Sequence, residues 1–229
     1  MTGSALTGSA MAASAMTGEP RLGAAFFLGG DSYPKDADLE TALRQRLAPR
    51  FSAWFGQMEV FALSGVPKAG LAVPRRVADL MRVMDGMSPA LPVFLFGRSS
   101  GARVATLLAT RRRVSGVVCF GYPFQQPGRD AEPERFAHLA ALGVPTLIFQ
   151  GSSDPYSGPD GPGCHPLAEA VTLRLIRADH RVRLPARVWD LLCAEIDTFC
   201  TRAAEPGPQA GADTGRRKVP GEGIEPPTF

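Results

Sequence analysis

One serine sits in a frame suited to chemistry. Gly97-Arg98-Ser99-Ser100-Gly101 follows the apolar run Leu91-Pro92-Val93-Phe94-Leu95-Phe96, and small residues and leucines continue from Ala102 to Thr110. A short apolar run of this kind reads as a buried parallel strand, and the spacing of Val104, Leu107 and Leu108 reads as a helix. Glycines two places either side of Ser99 permit a turn tight enough to thrust its hydroxyl out at the carboxyl edge of a sheet. The helix that begins there aims backbone N–H groups at the same spot, so the amide of Ser100 is placed to stabilise an oxyanion. Ser100 is the competing hydroxyl, but the glycines centre on Ser99, and a serine in a first helical turn has the ordinary role of capping it.

A serine hydroxyl is a poor nucleophile near neutral pH. It needs a base to take its proton and a third group to hold that base in the right tautomer. The chain has three histidines. His138 lies between Phe136 and Leu139 in a segment that reads as a helix, and His165 lies in a glycine- and proline-rich loop. His180 follows the strand-like run Ala170 to Ile176 and is the candidate base. Asp154 directly follows another such run, Val144 to Gln150, and is the candidate acid. Asp179 adjoins the histidine and would orient it poorly. The chain order Ser, Asp, His is that of α/β-hydrolases.

The elements that must position these residues alternate along the chain. Ala24 to Leu28 reads as a first strand, ending at Gly29-Gly30-Asp31, where a glycine pair lets backbone amides face a ligand. Leu39, Leu43 and Leu47 mark a helix, and Gln57 to Leu63 reads as a second strand. Pro74 opens a helix whose buried face is Val77, Leu80, Met81 and Met84. After the strand and helix around Ser99, Arg111, Arg112 and Arg113 are placed in that helix's last turn, where cations meet exposed carbonyls. Val114 to Phe120 reads as a fourth strand, closed by Gly121-Tyr122-Pro123, and Glu132 to Leu142 as a short helix. The last helix starts at Pro185 and buries Val188, Leu191, Leu192, Ile196 and Phe199. Six alternations imply a parallel sheet covered on both faces. Right-handed crossovers then put every strand-to-helix loop on one edge, where ligands bind in sheets of this kind. Ser99, Asp154 and His180 each fall just past a strand's carboxyl end, so all three are expected on that edge.

Composition narrows the remaining possibilities. With 229 residues, 45% hydrophobic and 21% charged, the chain suits one globular domain. No apolar run reaches the roughly 18 residues of a membrane span. The net charge is +3, and the basic residues are dispersed, which argues against nucleic acid as a partner. Residues 1–20 lack the basic start and apolar middle of a secretory signal and read as a disordered lead. Residues 203–229, rich in Gly, Pro and Ala, read as a disordered tail, leaving 21–202 as the domain. Cys119, Cys164, Cys193 and Cys200 show no Cys-x-x-Cys spacing and read as reduced thiols of a cytoplasmic protein, with no metal site.

From about Arg21 to Arg202 the chain resembles the α/β-hydrolase superfamily. More narrowly it is similar to a lidless branch that includes dienelactone hydrolases and the testis-expressed and nonspecific-lethal-complex hydrolase-like domains. The resemblance is carried by the Gly97-Arg98-Ser99-Ser100-Gly101 unit between strand and helix, Gly121-Tyr122-Pro123-Phe124, His138-Leu139 before Val144-Pro145-Thr146-Leu147, Gly151-Ser152-Ser153-Asp154-Pro155-Tyr156, and Asp179-His180. It implies Ser99 as nucleophile, His180 as base, Asp154 as its orienter, and an oxyanion hole from the amides of Ser100 and Gly30, with no cofactor. Arg98, Asp31 and Tyr122 are the candidates for contact with substrate. Relatives carry His-Gly at the end of the first strand, where this chain has Leu28-Gly29. No insertion long enough for a lid follows the fourth strand, and an open site suits a small-molecule ester or thioester. A non-catalytic hydrolase-like scaffold is the alternative reading.

Overall fold

The computed structural model describes residues 21–35, 37–65 and 72–205. The expected lead and nearly all of the expected tail therefore lie outside the described residues. Strand β1 (Leu22–Leu28) is buried along its whole length, as a strand covered on both faces must be, and this explains its unbroken apolar sequence. Helix α1 (Ala37–Leu47), strand β2 (Phe51–Phe55), helices α2 (Gln57–Ser64) and α3 (Val73–Asp85), strand β3 (Val93–Arg98) and helix α4 (Ser100–Ala109) follow. Strands β4 (Gly116–Phe120), β5 (Thr146–Gly151) and β6 (Val171–Ile176) and helix α5 (Ala186–Ala204) complete the domain.

The six strands form one parallel sheet in the order β2-β1-β3-β4-β5-β6. The first strand lies second from one edge; the chain then moves out to β2 at that edge and returns past β1 to lay down β3. Strand order therefore reverses between β1 and β3, the switch point at which open sheets of this kind bind ligands. Register carries the strands to a common edge: Leu28 pairs with Gly97, Arg98 with Phe120, and Gly151 with Ile176.

Alternate residues of the strands feed two cores. Phe26, Leu95, Val117 and Ile148 pack with Val77, Leu80, Val104 and Leu108 on one face. Phe27, Phe94, Phe96, Val118 and Phe149 pack with Leu39, Leu43, Trp189 and Ile196 on the other. Each fully buried side chain of this size contributes about 1.5–3 kcal/mol, so both faces of the sheet are firmly fixed beneath the loops of its edge.

Three local expectations are corrected. Gln57 to Leu63 is helix α2, and the second strand is Phe51–Phe55 instead. Alternation at Met58, Val60 and Ala62 suggests a strand. The deciding signals are Gly56 at the start, where the Val60 amide donates to the Gly56 carbonyl, and left-handed Gly65 (φ +70°) at the end. Glu132 to Leu142 is not one helix but two short 3-10 turns, Pro133–Arg135 and Ala137–Ala141. The Arg135 carbonyl is taken by the Tyr122 hydroxyl at 2.7 Å rather than by a helical partner. Arg111, Arg112 and Arg113 lie beyond α4, which ends at Ala109. Arg112 reaches the end of α3 instead, donating to the Met84 carbonyl at 2.7 Å and pairing with Asp85, so its cation meets the carbonyl end of a neighbouring helix. At the domain's end, α5 continues through Ala204, two residues past the expected boundary.

Candidate active site

Ser99 stands between β3 and α4 with φ +53° and ψ −122°, a conformation that a non-glycine residue adopts only under constraint. The constraint comes from its neighbours. A Cβ on Gly97 would lie 2.5 Å from the Cα of Ala102, and one on Gly101 would lie 2.0 Å from the Leu28 carbonyl oxygen. Without side chains at 97 and 101, α4 folds back hard against β3 and the end of β1. The Ser99 amide donates to the Phe120 carbonyl at 3.0 Å, tying the turn to β4.

The structure brings the three candidate side chains together. His180 Nε2 lies 3.0 Å from Ser99 Oγ, and His180 Nδ1 lies 3.0 and 2.9 Å from the two carboxylate oxygens of Asp154. The Asp154 side chain is fully buried and the His180 side chain 16% exposed. The carboxylate also accepts from Gln150 Nε2 at 2.9 Å and from the Tyr156 amide at 2.9 Å, so three donors fix its orientation. A carboxylate acceptor at Nδ1 requires the proton there, leaving the Nε2 lone pair for the Ser99 hydroxyl.

Ser100 does not compete for the imidazole. Its hydroxyl donates to Asp31 Oδ1 at 2.6 Å and accepts from Arg76 Nη1 at 3.0 Å. Arg76 also donates to the Gly29 carbonyl at 2.7 Å, and Gln57 accepts from the Gly29 amide at 2.7 Å. The Gly29-Gly30-Asp31 turn is thus stapled to α2, α3 and the start of α4. Leu28 is buried in the core, and the staples hold the turn that follows it. Asp31 is exposed and 3.7 Å from Arg76.

The remaining candidates fall in two places. Arg98 is 5% exposed and donates to the His180 carbonyl at 3.1 Å. It lines the inner wall of a cavity of about 580 Å³, with Leu39, Val182 and Trp189 as apolar lining and Lys35, Asp38, Arg181 and Arg183 as its charged residues. Tyr122, by contrast, is fully buried beneath the edge, and its hydroxyl is used by the Arg135 carbonyl. Its expected contact with substrate gives way to a place in the core. Sequence reasoning missed Gln150, Tyr156, Arg76 and Gln57. Of these, Gln150 left a signal as a polar residue ending an apolar strand, and Tyr156 stands in the Gly151-to-Tyr156 segment that carries the resemblance.

Burial pushes the Cys119 and Cys200 thiols up, and that of Cys193 up to about 11, so none of the three competes as a nucleophile. Among the described residues no helix is long and apolar enough to cross a membrane.

A strained serine between strand and helix thus stands within hydrogen-bonding distance of a histidine that itself meets a buried acid, beside a glycine turn. Residues 42–202 match the family described as "Alpha/beta hydrolase domain", and the chain belongs to that family. Its fold is similar to that of a thermophilic esterase from Thermogutta terrifontis, at 17% identity and a TM-score of 0.57, covering 80% of this chain and 92% of that one. It is also similar to a protein from Pectobacterium atrosepticum described as a yden-like hydrolase, at 20% identity and a TM-score of 0.55, covering 80% and 93%. None of the curated proteins compared with the chain matches it.

Proposed function

We propose that this protein is a serine hydrolase that cleaves a carboxylic ester or thioester through an acyl-enzyme. The observation that carries the reading is the continuous hydrogen-bonded path from Ser99 Oγ through His180 to Asp154. As Ser99 Oγ attacks the substrate carbonyl, its proton passes to His180 Nε2, and Asp154 stabilises the imidazolium that forms. The amides of Ser100 and Gly30 are the donors we assign to the resulting oxyanion. His180 then returns the proton to the leaving alcohol or thiol, and water releases the acyl group by the same steps in reverse order.

Between β4 and β5 the described chain has only two short 3-10 turns and no lid. An esterase among the similar folds supports the ester class. The test is Ser99→Ala, which is expected to abolish turnover of short p-nitrophenyl esters and labelling by a fluorophosphonate probe while leaving the thermal midpoint within a few degrees. Labelling elsewhere, or undiminished turnover, removes Ser99 from this role. A folded wild-type chain that neither turns over esters nor labels supports the scaffold reading instead.

A further inference from the structure

We propose that Tyr156 is a positioning residue for proton transfer between Ser99 and His180, holding the imidazole by its face while Asp154 holds it by its edge. The inference rests on the reading of Ser99, His180 and Asp154 as the reacting groups. The Tyr156 and His180 rings are stacked, with centroids 4.1 Å apart and planes inclined by 27°. The same residue's backbone amide donates to Asp154 Oδ1 at 2.9 Å, so the face partner and the edge partner belong to one turn.

That turn is stiff for a local reason. Asp154 caps the 3-10 turn Pro155–Ser157, and Pro155 occupies its first position, where the ring fixes φ and no amide is lost. Asp154-Pro155-Tyr156 therefore supplies an edge acceptor, a rigid spacer and a stacking face in three consecutive residues. Backbone closes in near the edge contact: a Cβ on Gly121, at φ +55°, would lie 3.3 Å from both His180 Nδ1 and Asp154 Oδ2. Arg98 holds the His180 carbonyl at 3.1 Å. With the edge, a face and the backbone held, Nε2 stays on the Ser99 hydroxyl.

The ring has a second effect during the reaction. The Ser99 O–H bond breaks as the O–C bond to substrate forms, the proton goes to Nε2, and the imidazole becomes a cation. An aromatic face attracts that cation more than it attracts the neutral ring, and an aliphatic side chain of similar bulk does not. The stack thus favours the transition state over the resting enzyme, which places its effect in kcat rather than KM.

The test compares Tyr156→Leu, Tyr156→Phe and Tyr156→Met with the wild-type chain on p-nitrophenyl acetate. Tyr156→Leu and Tyr156→Met are expected to lower kcat by about tenfold with KM within about twofold, and Tyr156→Phe to stay within about twofold of wild type. Two non-aromatic variants of different shape keep the test valid if one of them folds poorly. Non-aromatic variants with wild-type kcat, or Phe and Leu variants falling together, overturn the proposal. A second measurement needs no turnover: in Ser99→Ala protein the His180 Cε1 proton carries an upfield ring-current shift that Tyr156→Leu removes. Absence of that shift overturns the stack while leaving the chemistry at Ser99 standing. The shift in a wild-type chain without any turnover overturns the hydrolase reading, and with it the kinetic part of this proposal.

Discussion

Two histidines in this molecule each meet a hydroxyl, and their surroundings give them opposite characters. His180 Nε2 lies 3.0 Å from Ser99 Oγ, and His138 Nε2 lies 2.9 Å from Thr106 Oγ1. The distances are nearly equal. What differs is the group on the far side and the charge nearby. His180 has the Asp154 carboxylate on Nδ1 and stands at the sheet's carboxyl edge. The other partner of His138 is the Tyr122 hydroxyl at 3.5 Å; the imidazole is half-buried, against the fully buried Tyr122 and Thr106. Burial, and then the nearby Arg103 guanidinium, push the His138 imidazole down from its ordinary 6.5 to about 4. It is therefore neutral in ordinary buffers, and an imidazole that resists protonation is a poor acceptor for a serine proton. A hydroxyl beside an imidazole does not make a base; the third group and the dielectric around it do.

The largest expected effect comes from making the first histidine resemble the second. Asp154→Asn replaces an acceptor at Nδ1 with a group able to donate there, which favours the tautomer carrying its proton on Nε2. That proton faces Ser99, and the imidazole can no longer accept from it. Turnover of p-nitrophenyl acetate is expected to fall by about 10⁴-fold in kcat with little change in KM. A loss below tenfold means that Asp154 only supports the loop and that the difference between the two histidines lies elsewhere.

Removing the second histidine is expected to change stability and leave catalysis alone. His138→Gln keeps a polar side chain near Thr106 and is expected to cost about 1–2 kcal/mol, with kcat within about twofold of wild type. The pH dependence is the sharper readout. Between pH 6.5 and about 4 the unfolded chain binds a proton at His138 that the folded chain does not. Stability contributed by the neutral imidazole is thus fully present above 6.5 and is lost as pH falls toward about 4. Thermal midpoints measured across that interval should decline less steeply in His138→Gln than in wild type. Parallel declines would mean that His138 is not held neutral by the fold.

How far this contrast is legible in the sequence depends on how local its causes are. The Ser99 turn is written in adjacent residues: an apolar strand, two glycines and a run of small helical residues each constrain the same few dihedrals. Asp154 and His180 are legible because strand ends in a parallel sheet share one edge. What surrounds them is not. Gln150 and Tyr156 act through side-chain geometry that no spacing rule encodes. Arg76 and Gln57 reach the Gly29 turn from 47 and 28 residues away. Tyr122 follows its strand just as Ser99 does, but its side chain turns into the core, a choice made by packing against Phe124 and by the Arg135 carbonyl. Helix α2 was hidden for a related reason: its short apolar sequence satisfies both periods, and the glycines at its ends decide between them.

The smallest expected effect isolates the hydroxyl itself. Thr106→Val deletes Oγ1 in the buried cluster as Ser99→Ala deletes Oγ at the edge, with nearly the same shape retained. Thr106 Oγ1 also lies 3.0 Å from the Ala102 carbonyl, one helical turn back, and that carbonyl keeps its place in α4 without it. The substitution leaves His138 Nε2 the Tyr122 hydroxyl at 3.5 Å, so a half-buried imidazole nitrogen loses its closer partner. The expected cost is about 1 kcal/mol in a denaturant titration, with no change in kcat beyond about twofold. A loss of activity comparable to that of Ser99→Ala would show that the two clusters are coupled through α4, whose first turn carries one hydroxyl and whose middle carries the other. An unchanged kcat with lowered stability would confine the chemistry to the edge and leave the lower cluster as support for the loop that bears His138.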